Sequence, residues 1–458
     1  MSLLKNNSKD LKMQKYDAVI VGAGIAGLGV AGLLQKSGIK TLVLEKSKSP
    51  GGRAKTREFP GGWRVDSGTH CVDHGEKSAC AELLRRVGKE ITWTRGLEGM
   101  MVYDDGKWLH IQDYLNLSDG EQRDLVSLED SFAVMTEEQI DILDKMSLAE
   151  FIRKNISSPK VAEYFKILGM IQSTLTEAEI ISAGEFVAIY SEGMKYGGRW
   201  GSLGNVRMPL GGIGVMTKAL ADGATGAGAV IEYGKPVDKI SVNKNGQIRV
   251  FVGDSEYTAP AVVLALPIWQ MVNLFSAEDN SVPQKWLDSM RGLVDETSAS
   301  IGFTMGTKKP LFTEPVYLSA WRLADVGLPL QILGQTNFDA TIAPPGHMIA
   351  FIGTPCKPQQ ARDVKFREET LAKFWETVKK MFPHVEENVV WKFDGYYVGI
   401  DGLARSPGLT GKYRPPVFLQ DVPGLYFAGD CYTGRGVGMN AAANSAMICA
   451  EKIQTDFK

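Results

Sequence analysis

The sequence predicts an α/β fold of two interleaved domains, and three observations carry that prediction. The ordered chain opens between Tyr16 and Lys46 with an apolar, β-branched run, a glycine turn and a helix-like stretch. Two more glycine-rich turns stand near residues 207–214 and 429–438, each beside strand-like and helix-like runs. Between these blocks, residues 111–204 read as consecutive helices and 276–394 as mixed strands and helices. An α/β layer therefore leaves and re-enters the chain twice, and 458 residues suffice for two or three domains.

Residues 1–15 are polar and lysine-rich, without the apolar core or cleavage site of a signal peptide, and read as a disordered tail. Ala18 to Val21 then reads as a buried parallel strand, followed at once by Gly22-Ala23-Gly24-Ile25-Ala26-Gly27. Leu28 to Gln35 reads as a helix, Gly38 as its stop, and Thr41 to Leu44 as a second strand ending at Glu45 and Lys46. Strand, G-x-G-x-x-G, helix, strand and acid form the dinucleotide-binding fingerprint of a Rossmann-like unit. Gly22 permits a tight turn, Gly24 lets a pyrophosphate approach the backbone, and Gly27 lets helix and strand pack closely. The helix start at Ile25 and Ala26 offers N–H groups and a partial positive charge. Glu45 is placed to accept hydrogen bonds from both ribose hydroxyls. The competing reading is a membrane span, since Ala18 to Leu34 carries no charge; the run is short and its glycines suit a strand and turn better.

Gly51-Gly52-Arg53 comes next, a compliant loop with one fixed cation to complete an anion site. Gly61 to His70 reads as a hairpin turn, a short strand and a bend at Gly68, from which Thr69 and His70 face a cofactor ring. A structural histidine satisfied by backbone is the equal alternative for His70, and His74 reads as surface.

Taken together, GAGIAGL with Glu45, GGRAKT and WRVDSGTH resemble the FAD-dependent amine oxidase and phytoene desaturase superfamily, with its phytoene dehydrogenase-like branch favoured. The resemblance implies FAD and a fold like that of monoamine oxidase and phytoene desaturase. In that fold a Rossmann-like FAD-binding domain is interleaved with an α+β substrate domain.

Ala79 to Arg86 reads as a helix, and Met100 to Tyr103 with Lys107 to Ile111 as a hairpin around Asp104-Asp105-Gly106. Apolar spacing of three and four then predicts helices over Gln122–Phe132, Glu137–Lys145, Leu148–Asn155, Val161–Ser173 and Ser182–Tyr190. Ser147 is an N-cap, with Glu150 closing a capping box. Arg207 to Gly214, a helix over Val215–Ala221, strands at 229–231, 235–242 and 249–252, and the buried run Ala261 to Pro267 resemble the family's second FAD segment. The resemblance places the backbone of Val237 against the adenine; a plain α/β layer is the alternative on spacing alone.

Ser298–Met305 and Met348–Gly353 read as strands, and Phe366–Met381 as an amphipathic helix stopped by Pro383. Several amine oxidases of the family carry a lysine on the strand before a K-x-P motif. Here the motif is Lys308-Lys309-Pro310, the matching position falls near Gly302, and no lysine stands there. Tyr396 and Tyr397 lie in the strand-like segment 391–402 and form an aromatic pair beside a flavin or merely pack; with His70 they are the candidate catalytic residues. Residues 409–416 read as an irregular loop. The last block is a strand ending at Gly429-Asp430, a glycine loop through Val437, Gly438 and Met439, and a helix over Ala441–Ile453. It matches the family's C-terminal FAD motif. Asp430 would reach a ribityl hydroxyl or a water on the pyrophosphate, and the loop N–H groups the flavin C2 oxygen. Cys431 lies away from the position where some family members attach FAD, so FAD is expected to bind non-covalently.

The expected division is a tail at 1–15, an FAD-binding domain at 16–110, 205–275 and 395–458, and a substrate domain at 111–204 and 276–394. A net charge of −2 makes no electrostatic case for nucleic acid or an anionic membrane. Five scattered cysteines without a C-x-x-C pair suit a reducing cytoplasm and argue against disulfides or a metal site. The function expected is hydride removal from a largely apolar small substrate, with electrons passing to a separate acceptor. Such a substrate is compatible with peripheral membrane contact. A flavin amine oxidase, a redox-neutral flavin isomerase and a non-catalytic binding protein are the alternatives.

Overall fold

The computed structural model describes residues 16–68, 71–200, 205–275, 281–321 and 328–458. Its organising layer is a five-stranded, all-parallel sheet in the order Leu425–Phe427, Ala261–Leu264, Ala18–Val21, Thr41–Glu45, Val230–Tyr233. Four of these strands, AVIV, TLVLE, AVVL and LYF, are buried along their whole length, as a parallel sheet covered on both faces requires. Helices Ile25–Lys36, Met439–Asp456 and Gly214–Gly226 pack on it, the first contacting the other two. An antiparallel meander of Lys239–Val242, Ile248–Val252 and Ser255–Thr258 contributes Ile240, Val242, Ile248 and Val250 to the same core.

The second sheet has seven strands in the order Val389–Leu403, Thr297–Thr307, Met348–Cys356, Leu330–Gly334, Tyr317–Ala320, Met100–Asp104, Lys107–His110. Its long second strand, 297–307, is buried throughout and pairs on both sides. Helix Val364–Met381 covers one face through Leu371, Phe374 and Val378. The helices of residues 119–195 form a third core around Phe132, Phe151, Phe165, Phe186 and Tyr190, whose rings meet at centroid distances of 5.5–6.1 Å. Strands 100–104 and 107–110 pair within the larger sheet, so the expected boundary at 110 falls after them.

Several expectations are corrected in detail. The first helix begins at Ile25 rather than Leu28, inside the glycine turn, and the last begins at Met439 rather than Ala441. The strand expected over 235–242 starts only at Lys239, because Gly234 at φ +68° turns the chain and Pro236 supplies no ladder N–H. Strand Ser255–Thr258 is polar and mostly exposed, so it left no apolar mark; Tyr317–Ala320 and Leu330–Gly334 were not separated from their mixed surroundings. Ser147 does cap its helix, accepting from the Glu150 N–H, but the Glu150 carboxylate turns to Lys154 Nζ at 2.7 Å and no box closes.

Candidate active site

Four parallel strands deliver their C-terminal ends to one edge. Val21 stands in register with Leu44 and Leu264, and Leu264 with Phe427. The turns beyond them line a single cleft of about 510 Å3, at the carboxyl ends of the strands where open α/β sheets bind ligands. Gly22, Gly24, Ile25 and Ala26 line it from the first turn, and Glu45 and Lys46 from the end of the second strand. Gly52, Arg53 and Gly68 come from the segments that follow, and Gly429, Asp430, Gly438 and Met439 from the C-terminal block. Gly27 lies behind this lining, and Val437 lines an adjoining cavity instead. Val237 sits between strands 230–233 and 239–242, packed against the core and outside the cleft lining. Thr69 and His70 lie outside the described residues.

The cleft fits a dinucleotide on two observations. A Cβ built on Gly24 meets no heavy atom within 4 Å, so the backbone there is open to a ligand. Helices 25–36 and 439–456 start at the cleft with glycine N-caps, Gly24 and Gly438, and no side-chain cap. Ser78, Ser118, Thr136, Ser147, Ser158, Ser182 and Asp363 cap seven other helices with their side chains, whereas helices 214–226 and 284–292 also lack such a cap. The two cleft helices thus leave first-turn N–H groups free for an anion or a carbonyl oxygen.

Three polar groups are more engaged with protein than the sequence implied. The Glu45 carboxylate accepts from the backbone N–H of Ala23 at 2.7 Å and of Ser47 at 2.8 Å, tying the strand end to the glycine turn. Arg53 and Asp430 were expected to serve a cofactor separately, yet they pair with each other through Nη1–Oδ2 at 2.7 Å and Nη2–Oδ1 at 2.6 Å. Burial works against the Arg53 charge, and Asp430 more than offsets it, holding the guanidinium above its ordinary pKa. Arg53 Nη1 also reaches the Gly399 carbonyl at 2.7 Å, so one cation joins the loop after Glu45, strand 389–403 and the C-terminal turn.

Tyr396 and Tyr397 both border the cleft, but successive strand residues face opposite sides and they form no aromatic pair. Tyr396 is 52% exposed, with the Arg367 guanidinium 4.1 Å from its ring centre. Tyr397 is part-buried, and burial pushes its phenol above the ordinary tyrosine range. Gly302 lies within strand 297–307, where a Cβ would stand 2.3 Å from the Ile352 carbonyl; Ser300, two residues earlier, lines the adjoining cavity.

That cavity, about 200 Å3, meets the first at Gly68, Ile400 and Met439, which line both. Gly68, Val437 and Met439 reach it from the motif segments, but the residues that set its wall and its polarity carried no motif. Leu97, Val206, Leu333 and Phe351 give it an apolar wall, and Asp73, Gln172, Ser300, Tyr317, Gln331 and Asp401 supply polar groups. Asp401 takes the Thr174 hydroxyl at 2.7 Å and stands 3.9 Å from Arg405. The Tyr317 hydroxyl bonds Gln331 Oε1 at 2.5 Å. Arg435, in the C-terminal glycine loop, pairs with Asp141 at 2.7 Å, Asp144 at 2.8 Å and Glu185 at 3.0 Å, locking that loop to the helices of the third core.

A family model described as flavin containing amine oxidoreductase matches residues 25–454. Chloroplastic prolycopene isomerase from Daucus carota is 23% identical, over 97% of this chain and 81% of that protein. Phytoene dehydrogenase from Streptomyces griseus is 24% identical, over 95% of this chain and 94% of that protein. In three dimensions the chain is similar to an oxidoreductase from Methanosarcina mazei. The TM-score is 0.76 at 20% identity, and 95% of this chain and 99% of that one are covered.

Proposed function

The chain belongs to the flavin-containing amine oxidoreductase family and is an FAD-dependent oxidoreductase, and from that premise we propose that it dehydrogenates a small, largely apolar substrate held in the 200 Å3 cavity. The observation that carries this reading is the junction at Gly68, Ile400 and Met439, where the dinucleotide-sized cleft opens onto a smaller chamber with an apolar wall. FAD, when bound, supplies the hydride-accepting centre. The first glycine turn and the start of helix 25–36 hold its pyrophosphate, and the free lone pairs of Glu45 hold its ribose. Gly438 and Met439, at the start of helix 439–456, present N–H groups to the flavin end, where they favour negative charge. The Arg53–Asp430 pair fixes the two motifs relative to each other, and the walls of the smaller chamber orient the substrate and exclude water.

FAD is held here without a covalent bond. Cys431, the cysteine beside the C-terminal motif, is fully buried in the core, and burial pushes its thiol up to about 12, where it makes a poor nucleophile. Denaturing the protein should release all flavin; flavin that stays on the chain contradicts this.

Anaerobic stopped-flow mixing with compact alkenes or alicyclic compounds, and separately with amines, tests the main reading. Bleaching of the flavin absorbance by the former is expected, and bleaching by amines alone overturns it. Redox-neutral isomerisation is the second reading, favoured by the named activity of the carrot relative. It predicts turnover only after FAD has been prereduced, with no net oxidant consumed.

A further inference from the structure

We propose that Asp73 is the polar anchor of the smaller cavity and selects a compact substrate whose apolar body carries one hydrogen-bond donor, a hydroxyl or an ammonium. This rests on the reading that the cavity holds the substrate.

Size comes first. A cavity of roughly 150 Å3 takes up benzene, so about 200 Å3 takes one ring or a short branched chain and leaves no room for a long polyene. Polarity comes second. Gln172 Oε1 and Ser300 Oγ are buried without a hydrogen-bond partner, and both residues line this cavity. Asp73 lines it too, and among the described residues its carboxylate has no hydrogen bond or ion pair. The other polar groups are spoken for, since Asp401 takes the Thr174 hydroxyl and Tyr317 bonds Gln331. Gln172 Oε1 and the Asp73 carboxylate only accept and Ser300 Oγ can accept as well as donate, so a donor entering the chamber meets three acceptors, of which Asp73 is the strongest.

Asp73 is also held in place. Asn440 Nδ2, on the helix that starts at the cofactor cleft, donates to its carbonyl at 3.0 Å. The preceding residue, Val72, exchanges backbone hydrogen bonds with Arg207 at 2.8 and 3.1 Å. The backbone that carries the carboxylate is thus fixed relative to the junction between the two cavities. Burial, with the Asp401 charge, outweighs His74 and Arg405 and pushes the Asp73 carboxyl up, so a donor bound in the chamber draws it back toward the carboxylate. Leu97, Val206 and Leu333 supply the apolar wall for the body of the substrate.

The test uses the FAD-loaded protein and three matched compounds, namely cyclopentylmethanol, cyclopentylmethylamine and the donor-less methoxycyclopentane. Binding is read as a perturbation of the visible flavin spectrum under anaerobic conditions, and reduction as its bleaching. At least one donor compound should bind tenfold or more tightly than the ether. Whether that is the alcohol or the amine identifies the donor. Asp73→Ala should abolish this preference and leave the weak ether binding as it was. The isosteric Asp73→Asn should cost an ammonium more than a hydroxyl. FAD content and melting temperature check that each variant folds, and the wild-type series stands without them. Equal binding of all three compounds, no binding of either donor, or an unchanged preference in both variants overturns the proposal. Donor-selective binding without any bleaching instead counts against the dehydrogenase reading and leaves Asp73 as the anchor.

Discussion

Gly24 and Gly27 stand three residues apart and meet different constraints. A Cβ on Gly27 would lie 1.9 Å from the Gly22 carbonyl oxygen, so the turn and helix must shift to admit one. Gly24 has ordinary backbone angles, φ −84° and ψ −175°, and open space where its Cβ would be. Gly27→Ala should therefore destabilise the FAD-free protein by about 1–3 kcal/mol, as overpacking does. Gly24→Ala should leave the FAD-free melting temperature within a degree or two, at about 0.5 kcal/mol or less, and weaken FAD binding instead. Calorimetry and flavin titration of both variants separate the effects; equal losses of stability would show that Gly24 also packs.

A second residue-scale prediction concerns pH. Asp66 accepts from Thr56 Oγ1 at 2.6 Å and from the Ile213 N–H at 3.1 Å, yet burial pushes its carboxyl up to about 6. A pKa raised by folding means that the folded state binds the proton more tightly. The associated stability is present below about pH 4 and is lost as pH rises through about 6, for a total of about 2–3 kcal/mol. Asp66→Asn keeps an accepting oxygen without the titration. Relative to wild type, it should gain about that amount between pH 4 and 7 in urea melts. A wild-type-to-variant difference that stays constant with pH argues against it.

At the scale of elements, the C-terminal glycine loop is held by charge. Arg435 faces Asp141, Asp144 and Glu185, all buried, and the Gly436 N–H adds a bond to Glu185 at 3.0 Å. Removing the one guanidinium leaves three carboxylates short of a counter-charge. Arg435→Met should cost about 3–5 kcal/mol, seen as a lower urea midpoint at an unchanged slope. A cost below about 1 kcal/mol would mean that Lys412, 2.7 Å from Asp141, can take over. The same cluster joins helices 137–143 and 183–195 to the loop beside both cavities, so weakened FAD retention should accompany the loss.

At the scale of the molecule, the cleft draws on residues 22–54, 67–68, 265–270, 396–400 and 428–442, so FAD bound in it would bridge segments that fold onto one another from across the chain. A ligand that binds only the folded state stabilises it by about 2.7 kcal/mol at 100 times its Kd. Protein stripped of FAD should melt at a lower temperature, and added FAD should restore the loss in proportion to the logarithm of its concentration. Coincident melts with and without FAD would contradict this assembly. Among the described residues no helix is long and apolar enough to cross a membrane.

What the sequence by itself determined is the cofactor half. Gly22 to Glu45, Gly51 to Arg53 and Gly429 to Met439 are contiguous, and each demands backbone freedom or close approach that only its own residues can satisfy. Such demands are written locally, which is why the strands, turns and helices around them were legible to within a few residues. Even there, the pairing of Arg53 with Asp430 was not, because 377 positions separate them and neither motif records its partner. The smaller chamber was decided by tertiary structure alone. Asp73, Gln172, Ser300, Tyr317, Gln331 and Asp401 are single side chains on separate segments, with no shared period or spacing. Only the packing of the seven-stranded sheet against the helices and the parallel layer brings them around one chamber, and among the described residues it leaves the Asp73 carboxylate without a hydrogen bond or ion pair.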